Sequence, residues 1–502
     1  MEIVELDNFP SDLGFLILFL GTSLLFIWAE KTTRTRKENE PKEQASKNVH
    51  GSAGWAIDEE IMLAGIRKFS QKDEEGLWIG NGLMIKDYYH CCTIAPTREG
   101  KGTNLIIPNL LLKPHSSFVV TDPKGENACI TAKWQKESGQ KVYIIDPWNV
   151  QQTIGAGHEI PVSGFNPFDF ITRNPEREID NCSLVANLLL PDNPKTSEPY
   201  WNVAARNLIR VCLLHIISSK DKDQHNFKTL YNMLHPLEDE WVTLLVTMGH
   251  SEAYDGLVAR LSSEFTMPPT ENPMMSIMST AQTALAIFES PQLRKSLSKS
   301  EFDPFELIGG KCTVYIVMDY NYLDTHSTWL RLIVGLCFNA CAEKANQKVK
   351  FILDEFGILG KMEEVEKGLK YLAGKNITLW PFIQDLGTLK KHYGEEGMNM
   401  FVSGSSLFQA FGTNDIFTST YVSKKLGKLT ASKKSGGTST SHAGKSHSDN
   451  WSVYEKDLLN PDEVERERKI ITFYKKLKTR IDRLPYFEHP VLSNRADKRP
   501  AG

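Results

Sequence analysis

Six short runs along the chain are apolar at nearly every position rather than at alternate ones. They are HCCTIAP (90–96), SFVVTDP (117–123), KVYIIDP (141–147), CTVYIVMD (312–319), VKFILDE (349–355) and ITLWPFIQ (377–384). Each is rich in β-branched residues and closes on residues that start turns or helices. A strand with one wet face alternates apolar and polar positions, whereas a strand covered on both faces does not. The pattern predicts an α/β fold with a parallel-rich sheet sandwiched by helices.

Between 173 and 300 the period changes. WNVAARNLIRVCLLHIISS, LEDEWVTLLVTMG and MMSIMSTAQTALAIF read as helices, with no convincing strand among them. Pro-rich pieces (PDNPKTSEP, TMPPTENP) flank them. This segment reads as an all-α domain inserted into the α/β domain.

The N-terminus carries a different signal. Leu13 to Ala29 is apolar apart from Thr22 and Ser23, close to the ~17–25 residues that span a bilayer. Its leader, MEIVELDNFPSD, is acidic and no small-residue cleavage site comes after it, unlike a signal peptide. Lys31, Arg34, Arg36 and Lys37 come directly after. Their charge predicts a single transmembrane helix with the C-terminal bulk in the cytoplasm. The expected organisation is 1–12 periplasmic, 13–29 transmembrane and 30–75 juxtamembrane linker. The nucleotide-binding domain takes 76–172 and 301–502, with the all-α domain at 173–300. Residues 432–450 (SKKSGGTSTSHAGKSHSDN) read as a flexible solvated loop on composition.

Charge narrows the reading only locally. The 502 residues carry a formal net charge of −4, so any nucleic-acid contact must be a local stripe or loop. The eight cysteines make no disulfide framework. Cys337 and Cys341 have i,i+4 spacing but no further ligand nearby, so reduced thiols are the plain reading.

The segment APTREGKGT (95–103) approaches the pattern G-x-x-x-x-G-K-[ST] between a strand and a helix. Ala95 stands for the first Gly and Gly102 for the hydroxyl residue. Thr97, Arg98, Glu99, Gly100, Lys101, Gly102 and Thr103 form the candidate phosphate cradle. Thr103 is the nearest hydroxyl for Mg²⁺. A tight loop, a lysine and a helix N-terminus are what phosphates require. Several strands end in an acid, but only Asp354 is followed by a second carboxylate, Glu355. One carboxylate on the Mg²⁺ shell and one on the attacking water is the arrangement of a nucleotide hydrolase. Gln384 closes the next strand, where a polar side chain can sense the γ-phosphate.

These motifs resemble the type IV secretion coupling proteins of the TraG/TraD type. The likeness includes HGSAGWA (50–56), APTREGKGTNLIIPNLL, VVTDPKGE (119–126), FNPFD (165–169) and YWNVAARNLI (200–209). It continues through FILDEFGILGKM, IQDLGTLKKHYG (383–394), FGTNDIFTSTYVSKKLG (411–427) and LLNPDEVERE (458–467). The resemblance implies a RecA-like P-loop ATPase interrupted by an all-α domain and assembled as a homo-hexamer at the bacterial inner membrane. It implies ATP and Mg²⁺ as cofactors, and a role in passing relaxase-bound single-stranded DNA or effector proteins to a type IV secretion channel. Carried over by motif, Lys101 binds the β/γ-phosphates, Asp354 holds Mg²⁺, Glu355 activates water and Gln384 is the sensor. Lys375 is a weak candidate for a cation acting between subunits. Asp122, Lys124 and Glu126 match a family block, with a structural part as plausible as a direct one. Members often have two membrane helices and a long acidic tail, and this chain shows neither.

Overall fold

All six apolar runs form strands. The computed structural model describes residues 51–192, 199–237, 239–266, 271–372, 374–441 and 444–498. The apolar run 13–29 lies outside the described residues. Among the described residues no helix is long and apolar enough to cross a membrane.

Contacts divide the chain into two compact units, Trp55–Val422 with Asn460–Gly502, and Met1–Gly54 with Ser423–Leu459. The first holds a small antiparallel sheet of β1 (Arg67–Lys68), β2 (Leu77–Gly80) and β3 (Leu83–Ile85). It also holds β4 (Cys91–Ile94), β5 (Ser117–Asp122), β6 (Lys141–Ile145), β7 (Cys312–Val317), β8 (Val349–Leu353), β9 (Ile377–Ile383) and β10 (Leu407–Ala410). The second unit contains β11 (Lys428–Ser441) and β12 (Gly444–Asp457). The chain then returns to the first unit as β13 (Ile470–Tyr474) and β14 (Leu477–Ile481).

The large sheet runs β14-β13-β10-β4-β9-β8-β5-β7-β6. It is parallel from β10 to β6, with β13 and β14 antiparallel at one edge. Every residue of β4, β5, β7, β8 and β9 is buried. This is the two-sided burial that unbroken apolar runs require. Trp78, Trp329 and Trp380 are fully buried, each a large apolar payload for the core.

Between β6 and β7 the described residues hold helices and no strand. The helices include α1 (Glu178–Leu189), α2 (Pro199–Ser219), Phe227–Leu234, Glu240–Gly249 and Glu271–Leu285. Helix α1 packs against α2 and against α3 (Leu323–Lys344), which comes after β7. Gly335 of α3 lies so close to α1 that a Cβ there would sit 2.4 Å from Leu188 Cδ2. At that same end of α1, the buried Arg331 of α3 donates to the carbonyls of Leu188 (2.8 Å) and Leu189 (3.3 Å). These belong to the last turn of a helix, which lacks intrahelical donors.

Two expectations need correction. Residues 51–75, assigned to a linker, contain the helix Asp58–Leu63 and β1, and Arg67 pairs with Asp73 at 3.3 Å. The expected flexible loop at 432–450 is instead mostly an antiparallel ribbon, paired from Lys428↔Asp457 to Ser441↔Gly444. Ser, Thr and Gly composition reports that a segment has little to bury. A backbone ladder needs no apolar side chain, so composition missed the pairing. Gly51 and Ala53 extend the ribbon, through Thr430 N to Gly51 O (3.2 Å) and Ala53 N to Lys428 O (2.9 Å).

Candidate nucleotide site

Strands β4, β9 and β8 are immediate neighbours. Parallel strands lie about 4.8 Å apart, so the segments leaving their C-terminal ends converge. The loop 95–100 leaves β4, Gln384 comes after β9, and Asp354 and Glu355 come after β8. Ala95 sits where a P-loop has its first Gly. It is buried, and its N–H continues the ladder to Ile383 O at 2.8 Å. Thr97 and Arg98 are exposed at the loop tip. Gly100 has φ +82°, which favours glycine.

The helix after the loop is wound wide at its start: Ile107 N–H reaches back five residues to Gly102 O. Pro108 is the cause. It has no N–H to offer Asn104 O, and the Trp78 indole takes that carbonyl instead at 3.0 Å. Asn109 then bonds the Trp78 backbone twice, accepting from its N–H (2.9 Å) and donating to its carbonyl (2.9 Å). The helix after this loop is thereby fastened to β2.

Lys101 lies 2.5 Å from Glu355 Oε1 and 3.1 Å from Asp354 Oδ1. Gln384 Nε2 donates to Glu355 Oε2 at 2.9 Å. Burial disfavours the Lys101 charge, but the two carboxylates outweigh it and hold its pKa above the usual lysine value. Burial also raises Asp354, with Lys101 opposing. Thr121 Oγ1 donates to Asp354 O at 2.8 Å. Glu355 has a left-handed backbone, φ +51°, a conformation rare outside Gly and Asn and often stored at functional positions.

Four of the sequence candidates therefore meet: Lys101, Asp354, Glu355 and Gln384. Thr103 is not joined to them. Its hydroxyl donates to Gly100 O (3.2 Å) and accepts from Asn104 Nδ2 (3.2 Å). Lys375 precedes β9, at the opposite end of the strand from Gln384. Asp122 is buried and accepts from Ala128 N–H at 2.8 Å, capping the helix Glu126–Glu137. Burial pushes its pKa up to about 7. Lys124 and Glu126 are exposed.

Sequence reasoning missed a partner of the loop. Arg483 Nη1 donates to Glu99 Oε2 at 2.9 Å and to Glu99 O at 3.2 Å. It neutralises an acid that would repel phosphate. Gly412 makes room for this acid, since a Cβ there would meet the Glu99 side chain at 2.3 Å. The pair spans 384 residues, and no local signal announces it. The donor set suits a nucleotide with Mg²⁺: two adjacent carboxylates for a hard cation, one ammonium, and a Gly-rich turn opening a helix. The Cα of Gly102 faces open space, with nothing within 4 Å of a Cβ there.

The model of the family described as type IV secretory system conjugative DNA transfer matches residues 44–500. The chain belongs to that family. Relatives include the conjugal transfer protein TraG of Escherichia coli, 27% identical over 471 residues, covering 84% of this chain and 72% of the relative. VirD4 of Rhizobium radiobacter is 26% identical over 430 residues, covering 83% of this chain and 60% of the relative. Among solved structures, the bacterial conjugative coupling protein TrwBdeltaN70 superposes with a TM-score of 0.61 at 13% identity, over 87% of this chain and 95% of that one. TrwB solved with ADP and Mg²⁺ gives 0.60 at 13% identity, over 87% and 96%. The likeness shows that the chain shares the α/β fold of that coupling protein.

Proposed function

We propose that this protein is the ATPase that recruits substrates to a type IV secretion channel and powers their transfer. The convergence of Lys101, Asp354, Glu355 and Gln384 at the C-terminal edge of the parallel sheet carries the reading. That edge is where open α/β sheets bind ligands. Family membership supplies the transport context, and TrwB solved with nucleotide analogues and with ADP and Mg²⁺ supports a nucleotide with Mg²⁺ at this site.

Phosphate at the loop would draw the Lys101 ammonium away from the carboxylates. Asp354 would then be free to hold Mg²⁺, which would supply charge neutralisation of the β/γ-phosphates. Glu355 is placed to polarise the attacking water, and Gln384 orients Glu355 through their shared hydrogen bond. Arg483 keeps Glu99 from opposing the anion. The substrate is relaxase-bound single-stranded DNA or an effector protein. The working form is a homo-hexamer in the bacterial inner membrane, anchored by 13–29 as a single pass with its bulk in the cytoplasm. The apolar run and the basic residues after it support this placement.

The test is ATP turnover by the purified chain with and without single-stranded DNA, against Lys101→Ala and Glu355→Gln. Turnover that disappears in both variants and rises with DNA supports the motor. Turnover equal in wild type and variants would sink it.

A further inference from the structure

The chain after β14 forms a strap along the helix that opens at Gly102. At one end Arg483 donates to Glu99 Oε2 at 2.9 Å and to Glu99 O at 3.2 Å, gripping the loop before that helix. At the other end Arg495 donates to Leu111 O at 2.9 Å. That carbonyl belongs to the last turn of the helix, which lacks intrahelical donors. Between these two anchors the turn Tyr486–Glu488 packs against Gly102–Ile106, and the helix Pro490–Arg495 packs against Ile107–Leu111.

The strap is firmly seated. Tyr486 is buried, and the His489 ring meets Trp78 edge-on at 5.3 Å and Phe69 at 5.2 Å. Arg495 also pairs with the buried Glu74 at 2.6 Å. Phe487 is the exception. Its ring is 48% exposed and held edge-on by Tyr486 at 5.4 Å between centroids. A lone apolar side chain on a surface is ordinary. This one stands on a turn that packs against the start of the phosphate-site helix, where the Cα of Gly102 faces open space.

Hydrolysis fixes which way a nucleotide has to lie. Its γ-phosphate must face Asp354, Glu355 and Gln384, which come after β8 and β9 on one flank of β4. The nucleoside end therefore leaves the loop on the side away from those groups. Strands β10, β13 and β14 form the other flank of β4, and the strap issues from β14. A base has two apolar π-faces, and an aromatic side chain held in place is what such a face packs on.

We propose that Phe487 stacks on the base of the bound nucleotide, which makes the strap its nucleoside subsite. The inference rests on the reading that the loop 95–103 holds the phosphates. Stacking grows with the area of the base, so the subsite favours purine over pyrimidine nucleotides. It makes no use of the base edge, so it does not tell adenine from guanine.

The experiment is calorimetric titration of the full chain with ADP, CDP and inorganic pyrophosphate, each in excess Mg²⁺. Pyrophosphate reports the phosphate site without a nucleoside. Wild type is expected to bind ADP more tightly than CDP. Phe487→Ala is expected to weaken ADP by about fivefold or more, the scale of losing one base stack. It should weaken CDP less and leave pyrophosphate unchanged. Phe487→Trp should restore ADP affinity, whereas Phe487→Leu should not. In ATP turnover the loss should fall on KM with kcat kept, because a stack made equally in ground and transition states is uniform binding. Melting temperatures at the wild-type value in all three variants separate lost binding from lost folding.

Three results would overturn the proposal. One is wild-type ADP affinity in Phe487→Ala. Another is a parallel loss of ADP and pyrophosphate, which makes Phe487 a support for the loop. The third is wild-type ADP affinity in Phe487→Leu, which makes the contact apolar packing without stacking. Binding of neither ADP nor pyrophosphate by the wild type would refute the nucleotide reading and this subsite with it. ADP binding that is lost in Lys101→Ala but indifferent to Phe487→Ala would refute the subsite alone.

Discussion

Lys101 and Lys350 are buried to nearly the same degree, 8% and 6% exposed, one just beyond the edge of the parallel sheet and one within it. Their surroundings make them opposites. Lys101 lies at the C-terminal edge between two carboxylates, and its charge is held beyond the ordinary lysine range. Lys350 sits near the start of β8, the strand that leads into Asp354. Its ammonium donates to Gly76 O at 3.0 Å and lies 5.5 Å from the Tyr88 ring and 5.4 Å from Phe118. Burial, with Lys348 adding repulsion, lowers its pKa to about 7. Burial alone therefore says nothing about the role of a lysine. The charged groups that the fold delivers to it decide whether it is a stable cation or a strained one.

The largest expected effect separates the two by chemistry. Lys101→Ala should lower ATP turnover by about 10²- to 10³-fold, the scale of losing one electrostatic donor. Lys350→Met should leave turnover within about threefold, since Lys350 is outside the cluster. A large loss of turnover in folded Lys350→Met would break the comparison.

The next effect is read in urea melts across pH. An unfolded lysine titrates near 10.4, whereas Lys350 titrates near 7 when folded. Between those values the unfolded chain holds the extra proton. Stability should rise with pH from 7 to about 10, by at most about 1.4 kcal/mol per unit, and fall as pH drops through that window. Lys350→Met should remove this slope.

Asp122 sharpens the contrast with the opposite sign. Its folded pKa of about 7 exceeds the ~3.9 of an unfolded aspartate. Here the native state holds the extra proton, so its contribution falls as pH rises from about 4 to 7. Asp122→Asn, which keeps an acceptor for Ala128 N–H, should flatten that limb. An unchanged pH dependence would show that the helix-capping bonds already stabilise the charged form.

The smallest effect concerns Gly102. A Cβ there meets nothing within 4 Å, so Gly102→Ser should fold normally and gain a few tenths to about 1 kcal/mol from helix propensity. If the added hydroxyl reaches Mg²⁺, the half-saturating Mg²⁺ concentration for turnover should fall. The same titration with Thr103→Ala tests whether Thr103 already serves, and an unaltered curve would exclude it.

Much of this was legible because the groups proposed for catalysis terminate unbroken apolar runs. CCTI, VKFIL and ITLWPFI announce buried strands, and the residues after them stand at one sheet edge. Other parts had no local mark. β10 is four residues long and contains Gln409, whose burial is made tolerable by bonds to Ile79 O (2.8 Å) and Thr472 Oγ1 (3.2 Å). The widened helix after Lys101 arises from Pro108, but its satisfaction by Trp78 requires the tertiary fold. Arg483 is an ordinary surface cation until the chain brings it to Glu99. In the ribbon of β11 and β12, polarity hid a regular ladder.

Arg331 has a consequence for how the molecule opens. The guanidinium that closes the end of α1 also donates to Leu359 O at 3.4 Å, four residues beyond Glu355. One planar group thus finishes two distant segments, and burial lowers its pKa only to about 10, so it stays a cation at neutral pH. Neither segment can part from it without exposing acceptors that the other shares. The end of α1 and the loop after Glu355 should therefore exchange their amide hydrogens as one cooperative unit, and Arg331→Met should uncouple their exchange rates.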